Sequence, residues 1–271
     1  MEDGWKEKLL NVWNDDINQL RYIFNWYIED GVPKIKYYAD KIHKNKEFEW
    51  VNPVHEVLNC KTQVKQLFTD NVVINHYPDS NKSRSSYLPL LELAVKENPN
   101  NDRNMHYLGR EYMYYEKWQD AIDVLIKHLN MESATWKDER CASMRFIARC
   151  YKNLNRFDEA EMWLKKACIE AYYLRDPWVE LAFLYYDKKR YESVCKYIKK
   201  ALSIKDNTKA YMNELFSNDV TLYDLLSMTY YNLGNFDKAC LYARKALKID
   251  KNNERIKNNL QVFKYLKNWS F

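Results

Sequence analysis

A pattern of large and small residues recurs four times between Asp102 and Asn253 and constrains the fold more than any other feature. Each copy has a bulky residue, an apolar residue followed by a small one, an aromatic residue, and three further small or apolar positions. The spacing places the first four positions on one helix and the last three on an antiparallel partner, because residues three and four apart share a helix face. The four copies are Met105, Leu108, Gly109, Tyr112, Ala121, Leu125, His128; Met144, Ile147, Ala148, Tyr151, Ala160, Leu164, Ala167; Trp178, Leu181, Ala182, Tyr185, Val194, Ile198, Ala201; and Tyr223, Leu226, Ser227, Tyr230, Ala239, Ala243, Ala246.

This arrangement resembles the tetratricopeptide repeat, in which stacked helix pairs form a solenoid. The copies begin at Asp102, Cys141, Arg175 and Val220, at intervals of 39, 34 and 45 residues. The two longer intervals contain insertions, which we expect either to lengthen the connections between repeats or to extend their helices. These insertions are residues 130–139 and 206–219.

The joints inside the second and fourth copies have matching sequences, NLNRFD and NLGNFD. We expect Asn155 and Gly234 to adopt the left-handed conformation that ends a helix. Asp158 and Asp237 are predicted to cap the helix that follows each joint. The two joints therefore predict two helix-turn-helix units of the same design.

Amphipathic segments on either side of the copies predict closed ends for the array. Residues 85–100 form a half-repeat in sequence, and residues 253–269 carry one apolar stripe at helical spacing. Caps are needed because a repeat buries its apolar surface only against its neighbours. The residues of the last stripe are Ile256, Leu260, Phe263 and Leu266.

The first 80 residues lack the repeat and contain short segments in which apolar and polar residues alternate, as is typical of strands. A helix from about Gly4 to Trp13 precedes them. The sequence therefore predicts a mainly α fold: a tetratricopeptide-repeat helical solenoid over 81–271, preceded by a small α+β segment with short antiparallel strands over 1–80. The strand segments are 19–28, 33–39, 47–51, 53–58 and 70–77, with turn signals at 29–31 and 52–53.

Composition excludes several classes of function. The net charge of +5 arises from 43 basic and 38 acidic residues that are interspersed, which argues against nucleic acid as a partner. No apolar stretch is long enough to span a membrane. The six cysteines and five histidines show no zinc-ligand spacing, so the cysteines are interpreted as small buried residues in a reducing compartment. We therefore expect a cytoplasmic protein.

Longer phrases carry a second resemblance. They resemble the end of the catalytic domain and the start of the repeat segment in bacterial family-two glycosyltransferases with C-terminal tetratricopeptide repeats. The resemblance extends from Gly4 through the last helices and implies that residues 1–80 are the end, or a remnant, of such a catalytic domain. The phrases are residues 39–58, 72–113, 134–151 and 174–186.

By this resemblance, His55 and Glu56 match a Val-His-Glu segment of the family, and His76, Lys82 and Arg84 match the segment after the last strand. An imidazole at a strand end can serve as a metal ligand, and Lys82 and Arg84 on a loop can contact a diphosphate. The alternative is a hydrogen-bonded His–Glu pair and a solvated basic loop. The sequence does not decide which histidine is the better ligand.

The chain departs from the family in one respect, because no two aspartates are separated by a single residue as in the Asp-x-Asp motif that holds the metal. Met1 corresponds to a point inside the catalytic domain of the family. The resemblance therefore implies a fragment, a split gene or a degenerate relative. We expect no cofactor for this chain, and a divalent metal, Mn or Mg, if it is part of a complete glycosyltransferase.

Two functions remain open at this point. The first is a noncatalytic repeat module, belonging to or derived from a glycosyltransferase, that binds a protein or peptide partner or positions an acceptor. The second is the C-terminal portion of an active metal-dependent glycosyltransferase, whose partner would be the missing catalytic domain. Aromatic residues of the first helices are the candidate anchors for a protein partner, namely Tyr112, Tyr114, Tyr151 and Tyr185.

Overall fold

The computed structural model describes residues 4–52, 56–78, 86–205 and 214–269. Contacts divide the chain into two compact units, Met1–Glu97 and Asn98–Phe271. This division falls later than the boundary at 80 that the sequence predicts, because helix α2 (Tyr87–Glu97) groups with the first unit. Amphipathic periodicity predicted that helix but does not reveal which unit it joins.

The first unit begins with helix α1 (Trp5–Val12), followed by five strands. Strands β1 and β2 form a long antiparallel hairpin, and β3 and β4 form a second, separate one. Strand β5 pairs with β1 in parallel, which gives the sheet order β2-β1-β5. The strands are β1 (Gln19–Glu29), β2 (Val32–His43), β3 (Phe48–Val51), β4 (Val57–Cys60) and β5 (Gln66–Asn75).

The turn signal at residues 29–31 forms the tight turn of the first hairpin. Asp30 and Gly31 have φ angles of 51° and 75°, and Glu29 pairs with Val32. Two successive residues with positive φ match the right-handed twist of the flanking strands, so this turn sets the register of the hairpin. The antiparallel pairing of β1 with β2 and of β3 with β4 confirms the prediction, whereas β5 differs from it by its parallel pairing with β1. This parallel pairing was not expected. It is possible because β2 and the β3–β4 hairpin form a connection long enough to return the chain in the same direction.

The core of the first unit is small. Residues of α1, including Leu9 and Val12, pack against it. Much of the apolar surface of the strands lies outside this core, including Trp26, Tyr37 and Trp50, each about half exposed. The buried core residues are Ile17, Leu20, Tyr22, Ala39 and Val72.

The second unit is helical. Four consecutive helix pairs form it, in each of which a first helix packs against the next helix along the chain. A final helix packs against the last pair. The helices are α3 (Asp102–Tyr114), α4 (Trp118–Leu129), α5 (Lys137–Asn153), α6 (Phe157–Glu170), α7 (Asp176–Asp187), α8 (Tyr191–Ser203), α9 (Thr221–Asn232), α10 (Phe236–Ile249) and α11 (Glu254–Trp269).

Most positions of the fourfold pattern are buried between the helices of a pair or between neighbouring pairs. Gly109 shows why one position must be small, because an added Cβ would lie 2.5 Å from Cγ of Leu125. Trp178 and Tyr223 are half-buried at the bulky position. The pattern is therefore confirmed as the core of the helical unit.

The joint inside each pair has a left-handed residue at the same place. Asn155 and Gly234 have φ angles of 59° and 70°, which confirms the prediction, and Glu116 and Lys189 take the same conformation. Asp158 and Asp237 lie in the first turns of their helices and do not cap them. In α10 the cap is Asn235, whose side chain accepts a hydrogen bond from the amide of Lys238.

The first insertion both lengthens a connection and extends a helix, because α5 begins at Lys137 and has 17 residues. The second insertion contains a 3-10 turn at Leu215–Ser217, while residues 206–213 lie outside the described residues.

Helix α11 covers the last pair as predicted, with Ile256 and Phe263 fully buried. Within the described ranges, every helix is too short or too polar to cross a membrane.

Candidate functional site

A buried ion-pair network connects the first helices of the second and third repeats. Nε of Arg145 lies 2.5 Å from Oε1 of Glu180, and Nη2 of Arg149 lies 2.7 Å from the same oxygen. Glu214, just before the 3-10 turn, accepts from both arginines, at 2.8 Å from Arg145 and 2.6 Å from Arg149. The side chain of Arg145 is almost entirely buried. Two positive and two negative charges are therefore held together at one repeat interface.

Burial disfavours the charged forms of Arg145, Arg149 and Glu180, but the opposite charges beside them have the larger effect on their pKa values. The pKa of Glu180 is raised by burial but lowered more by Arg145 and Arg149, so its net shift is downward. The pKa of each arginine is lowered by burial but raised more by Glu180 and Glu214. Arg145, Arg149 and Glu180 therefore stay charged at neutral pH, and removing Glu180 leaves the buried charge of Arg145 with less compensation.

A buried carboxylate fixes the segment after the second insertion. Oδ1 of Asp176 accepts from the amide of Glu214 at 2.7 Å and from the hydroxyl of Ser217 at 3.1 Å. Nη1 of Arg175 also lies 3.4 Å from the carbonyl oxygen of Ser217. These bonds hold residues 214–217 against the start of α7, so Glu214 and Phe216 have defined positions.

An open pocket of about 260 Å³ lies between α5, α7 and the 214–217 segment. Two aromatic rings form one wall: Phe183 and Phe216 meet edge to face, with centroids 5.4 Å apart. Charged side chains also line the pocket, and one of them, Lys152, has its Nζ 2.5 Å from Oδ2 of Asp187. The pocket is lined by Ala148, Arg149, Lys152, Ala160, Leu164, Glu180, Phe183, Leu184, Glu214 and Phe216.

The predicted tyrosine anchors lie in different environments. Tyr151 and Tyr185 are buried in the core of the array, and the hydroxyl of Tyr185 donates to Oε1 of Glu161 at 2.7 Å. Tyr112 is half-buried against the same core. Tyr114 is 52% exposed. Burial therefore removes Tyr151 and Tyr185 from the surface available to a partner and leaves Tyr114 on it.

The residues predicted from the glycosyltransferase resemblance are only partly described. His55, Lys82 and Arg84 lie outside the described residues. Glu56 is exposed just before β4. His76 follows β5, stacks on Trp26 with centroids 4.7 Å apart, and has Nδ1 3.1 Å from the carbonyl oxygen of Trp26. Among the described residues, neither Glu56 nor His76 belongs to a group of three potential metal ligands.

The cysteines behave as the sequence predicts. All six are free, and five of them are buried. Burial raises the pKa of Cys141 and of Cys150 to about 12, so both thiols are protonated at neutral pH. A protonated buried thiol is neither a nucleophile nor a ready metal ligand.

Sequence reasoning did not single out Arg149, Glu180, Phe183 and Phe216 as one site. A signal for two of them exists in the repeat itself, because Arg149 and Phe183 both follow the small residue of their copy. The equivalent positions in the first and fourth copies are Arg110 and Met228. This position is therefore arginine in two copies, phenylalanine in the third and methionine in the fourth.

Comparison with known proteins supports the repeat fold of the helical unit. Residues 175–268 match the family model of the prolyl 4-hydroxylase peptide-substrate-binding domain, and residues 146–168 match that of a tetratricopeptide repeat. The helical unit is thus a tetratricopeptide-repeat array. Neither of these models describes a glycosyltransferase, and a comparison with curated proteins gave no match.

Several solved structures share the fold. BtubC from P. vanneervenii is 14% identical and aligns with a TM-score of 0.54 over 68% of this chain and 81% of that one. YrrB, described as a tetratricopeptide-repeat protein with an unusual peptide-binding site, is 15% identical, with a TM-score of 0.52 over 66% and 84%. MamA is 19% identical, with a TM-score of 0.51 over 66% and 99%. At these identities the likeness establishes the fold alone.

Proposed function

We propose that the repeat array binds an extended peptide segment of a protein partner, with one apolar side chain of that segment in the pocket between α5 and α7. The carrying observation is an open pocket with an aromatic wall whose surroundings are fixed by the buried Arg145–Glu180 ion pair. Preorganised pockets bind more tightly, because less side-chain freedom is lost on association.

The chemistry of the pocket defines its occupant. Leu164 and Leu184 give it an apolar floor, and Phe183 and Phe216 give it an aromatic wall that suits a leucine or aromatic side chain. Lys152 lines the pocket and its ion-pair partner is Asp187; both are about half exposed and suit polar groups of either sign on the flanking residues. This combination of one apolar anchor and a polar rim is common at peptide-binding sites.

The family comparison points in the same direction. The prolyl 4-hydroxylase model that matches residues 175–268 is that of a domain named for binding a peptide substrate, and this range includes Glu180, Phe183 and Phe216. The pocket combines these residues with α5, which carries the match to the tetratricopeptide repeat. The proposed peptide site therefore includes residues from both matched ranges, 146–168 and 175–268.

The test begins with the full chain as bait in a selection from a random-peptide phage library. The affinity of the recovered peptides is then measured for the parent chain and for Phe183→Ser. We expect Phe183→Ser to weaken binding by roughly tenfold or more, because truncating a central anchor costs more than about 1 kcal/mol.

The matched control is Met162→Ser on α6, which removes an apolar side chain of similar size that is 45% exposed. Its affinity should equal that of the parent chain. Recovered peptides that bind Phe183→Ser as tightly as the parent would refute the pocket as the binding site.

A second proposal rests on the sequence resemblance: the array serves a glycosyltransferase and positions its acceptor, with a divalent metal in the catalytic domain. Its support is the run of matching phrases across both units. A coding sequence for a nucleotide-sugar-binding domain directly upstream of Met1, or in an adjacent gene, would support it. The same resemblance predicts that this chain alone does not hydrolyse a UDP-sugar in the presence of Mn²⁺, and measurable hydrolysis would contradict that expectation.

A further inference from the structure

Three potential metal ligands from three helices meet near the start of the array. Asp102 is the first residue of α3, His128 lies in the last turn of α4, and Glu139 lies in the first turn of α5. One ligand atom from each residue lies within 4.8 Å of the other two. His128 and Glu139 are buried, while Asp102 is partly exposed to solvent.

A hydrogen-bonded chain behind His128 fixes the orientation of its ring. The hydroxyl oxygen of Ser143 lies 3.0 Å from Nδ1 of His128 and 2.7 Å from Nδ1 of His106, and all three side chains are fully buried. A hydroxyl has one hydrogen, so it donates to one imidazole and accepts from the other. When it accepts from Nδ1 of His128, the lone pair of that ring is at Nε2 and faces the carboxylates.

The surroundings of the second ring nitrogen of His128, Nε2, are unusual. Its Nε2 is buried and makes no hydrogen bond to any described residue, although Oε1 of Glu139 is only 3.5 Å away. An imidazole lone pair and a carboxylate oxygen repel each other at this distance unless a proton or a cation lies between them. Buried polar atoms without a partner are rare and call for such an explanation.

We propose that Asp102, His128 and Glu139 bind a divalent transition-metal ion such as Zn²⁺. One imidazole and two carboxylates are an N/O ligand set that suits Zn²⁺ and its first-row neighbours. Metal–ligand bonds of about 2.1 Å place tetrahedral ligand atoms about 3.4 Å apart, which is close to the 3.5 Å between His128 and Glu139. The hydrogen bond that Nδ1 of His128 donates to Ser143 supplies the support that metal-bound histidines usually have on their second nitrogen.

The repeat pattern gives an independent reason to regard His128 as specialised. It occupies the last small position of its copy, where the other three copies have Ala167, Ala201 and Ala246. Alanine at this position packs without any polar requirement, whereas His128 brings a buried hydrogen-bond network into the core. Ligands from three separate helices also explain why no metal-binding spacing is visible along the sequence.

The experiment uses the full chain with Cys60→Ser, because Cys60 is the cysteine that is not fully buried and would otherwise add a thiol site. Zn²⁺ is titrated into this protein by calorimetry, and bound metal is counted after dialysis. We expect one Zn²⁺ per chain and a rise in thermal midpoint. Bound Co²⁺ should show no thiolate charge-transfer band, because the ligand set contains no sulfur.

The decisive comparison is between Asp102→Asn and Asp120→Asn in that background. Both aspartates lie in the first turn of a helix, so both variants lose the same helix-end charge and are expected to fold. Asp102→Asn should weaken Zn²⁺ binding by roughly tenfold or more, since loss of even a supporting residue costs that much. Asp120→Asn should bind like the parent.

Glu139→Gln keeps the shape of the side chain and should also lose the metal-dependent rise in thermal midpoint. Absence of Zn²⁺ binding to the parent, or equal affinity in Asp102→Asn and the parent, would overturn the proposal. The cluster would then be a buried histidine–carboxylate pair only.

Discussion

The two units of this protein solve the problem of burying apolar surface in opposite ways. In the repeat array, small residues at fixed positions let helix pairs pack closely, and one continuous core extends from α3 to α11. In the first unit a short core of five residues lies under long strands, and large aromatic side chains such as Trp26, Tyr37 and Trp50 remain about half exposed.

This difference indicates which unit can bury charged and polar side chains. The array contains a buried four-charge network and a buried histidine pair, each of which a large surrounding core can stabilise. Among its described residues, the first unit has a core of five buried side chains, which is much smaller than the core of the array. We therefore expect the functional polar groups to lie in the array, where the larger core offsets the free-energy cost of burying them.

The largest effect is predicted for the buried ion-pair network. Glu180→Gln leaves Arg145 buried beside a neutral amide, and it should lower the free energy of unfolding of the array by about 3–5 kcal/mol. Urea denaturation followed by circular dichroism measures this change. The matched control is Glu159→Gln, whose partner Arg156 is a surface residue, and which should leave the free energy of unfolding nearly unchanged. Equal losses in the two variants would show that the network contributes no more than a surface pair.

An intermediate effect is predicted for the core of the first unit. Leu20 is fully buried in β1, and Leu20→Ala should cost about 2–3 kcal/mol, near the low end for such a substitution, because a small core relaxes around the cavity. Hydrogen exchange should then increase in β1 and β2 and stay unchanged in α5 to α8. Increased exchange throughout both units would mean that they unfold as one and would weaken the contrast between them.

The smallest effect concerns the left-handed turns, where the two units are expected to behave alike. Gly31 and Gly234 have φ angles of 75° and 70°, and an added Cβ would meet no described atom within 4 Å. Changing either residue to alanine should therefore cost only the backbone penalty, about 1–2 kcal/mol. The opposite change, Lys189→Gly, should stabilise the array by up to about 1 kcal/mol, since Lys189 already has a φ of 55°. Thermal midpoints of the three variants test this, and a loss of stability in Lys189→Gly would contradict it.

The sequence predicted what depends on neighbours along the chain. The repeat core, the left-handed residues Asn155 and Gly234, the capping helix and the first hairpin all follow from local spacing and turn chemistry. The parallel pairing of β5 was missed, because alternation of apolar residues predicts a strand but says nothing about its direction. Asp158 and Asp237 were misplaced because a helix start is uncertain by one or two residues in sequence.

The candidate site was harder to predict, for a physical reason. Arg145 and Glu180 pair across two repeats, and Glu214 joins them from the insertion between the third and fourth copies. The metal-ligand cluster likewise combines three helices. Contacts of this kind depend on how repeats stack, so the spacing of residues within one repeat does not reveal them.

Hydrogen exchange of the full chain with a peptide from the phage selection tests the central claim most directly. The account predicts slower exchange in α5 and α7, at 137–153 and 176–187, with no change in the first unit. Protection confined to the aromatic strands β1 and β2, at 19–43, with α5 and α7 unaffected, would contradict it.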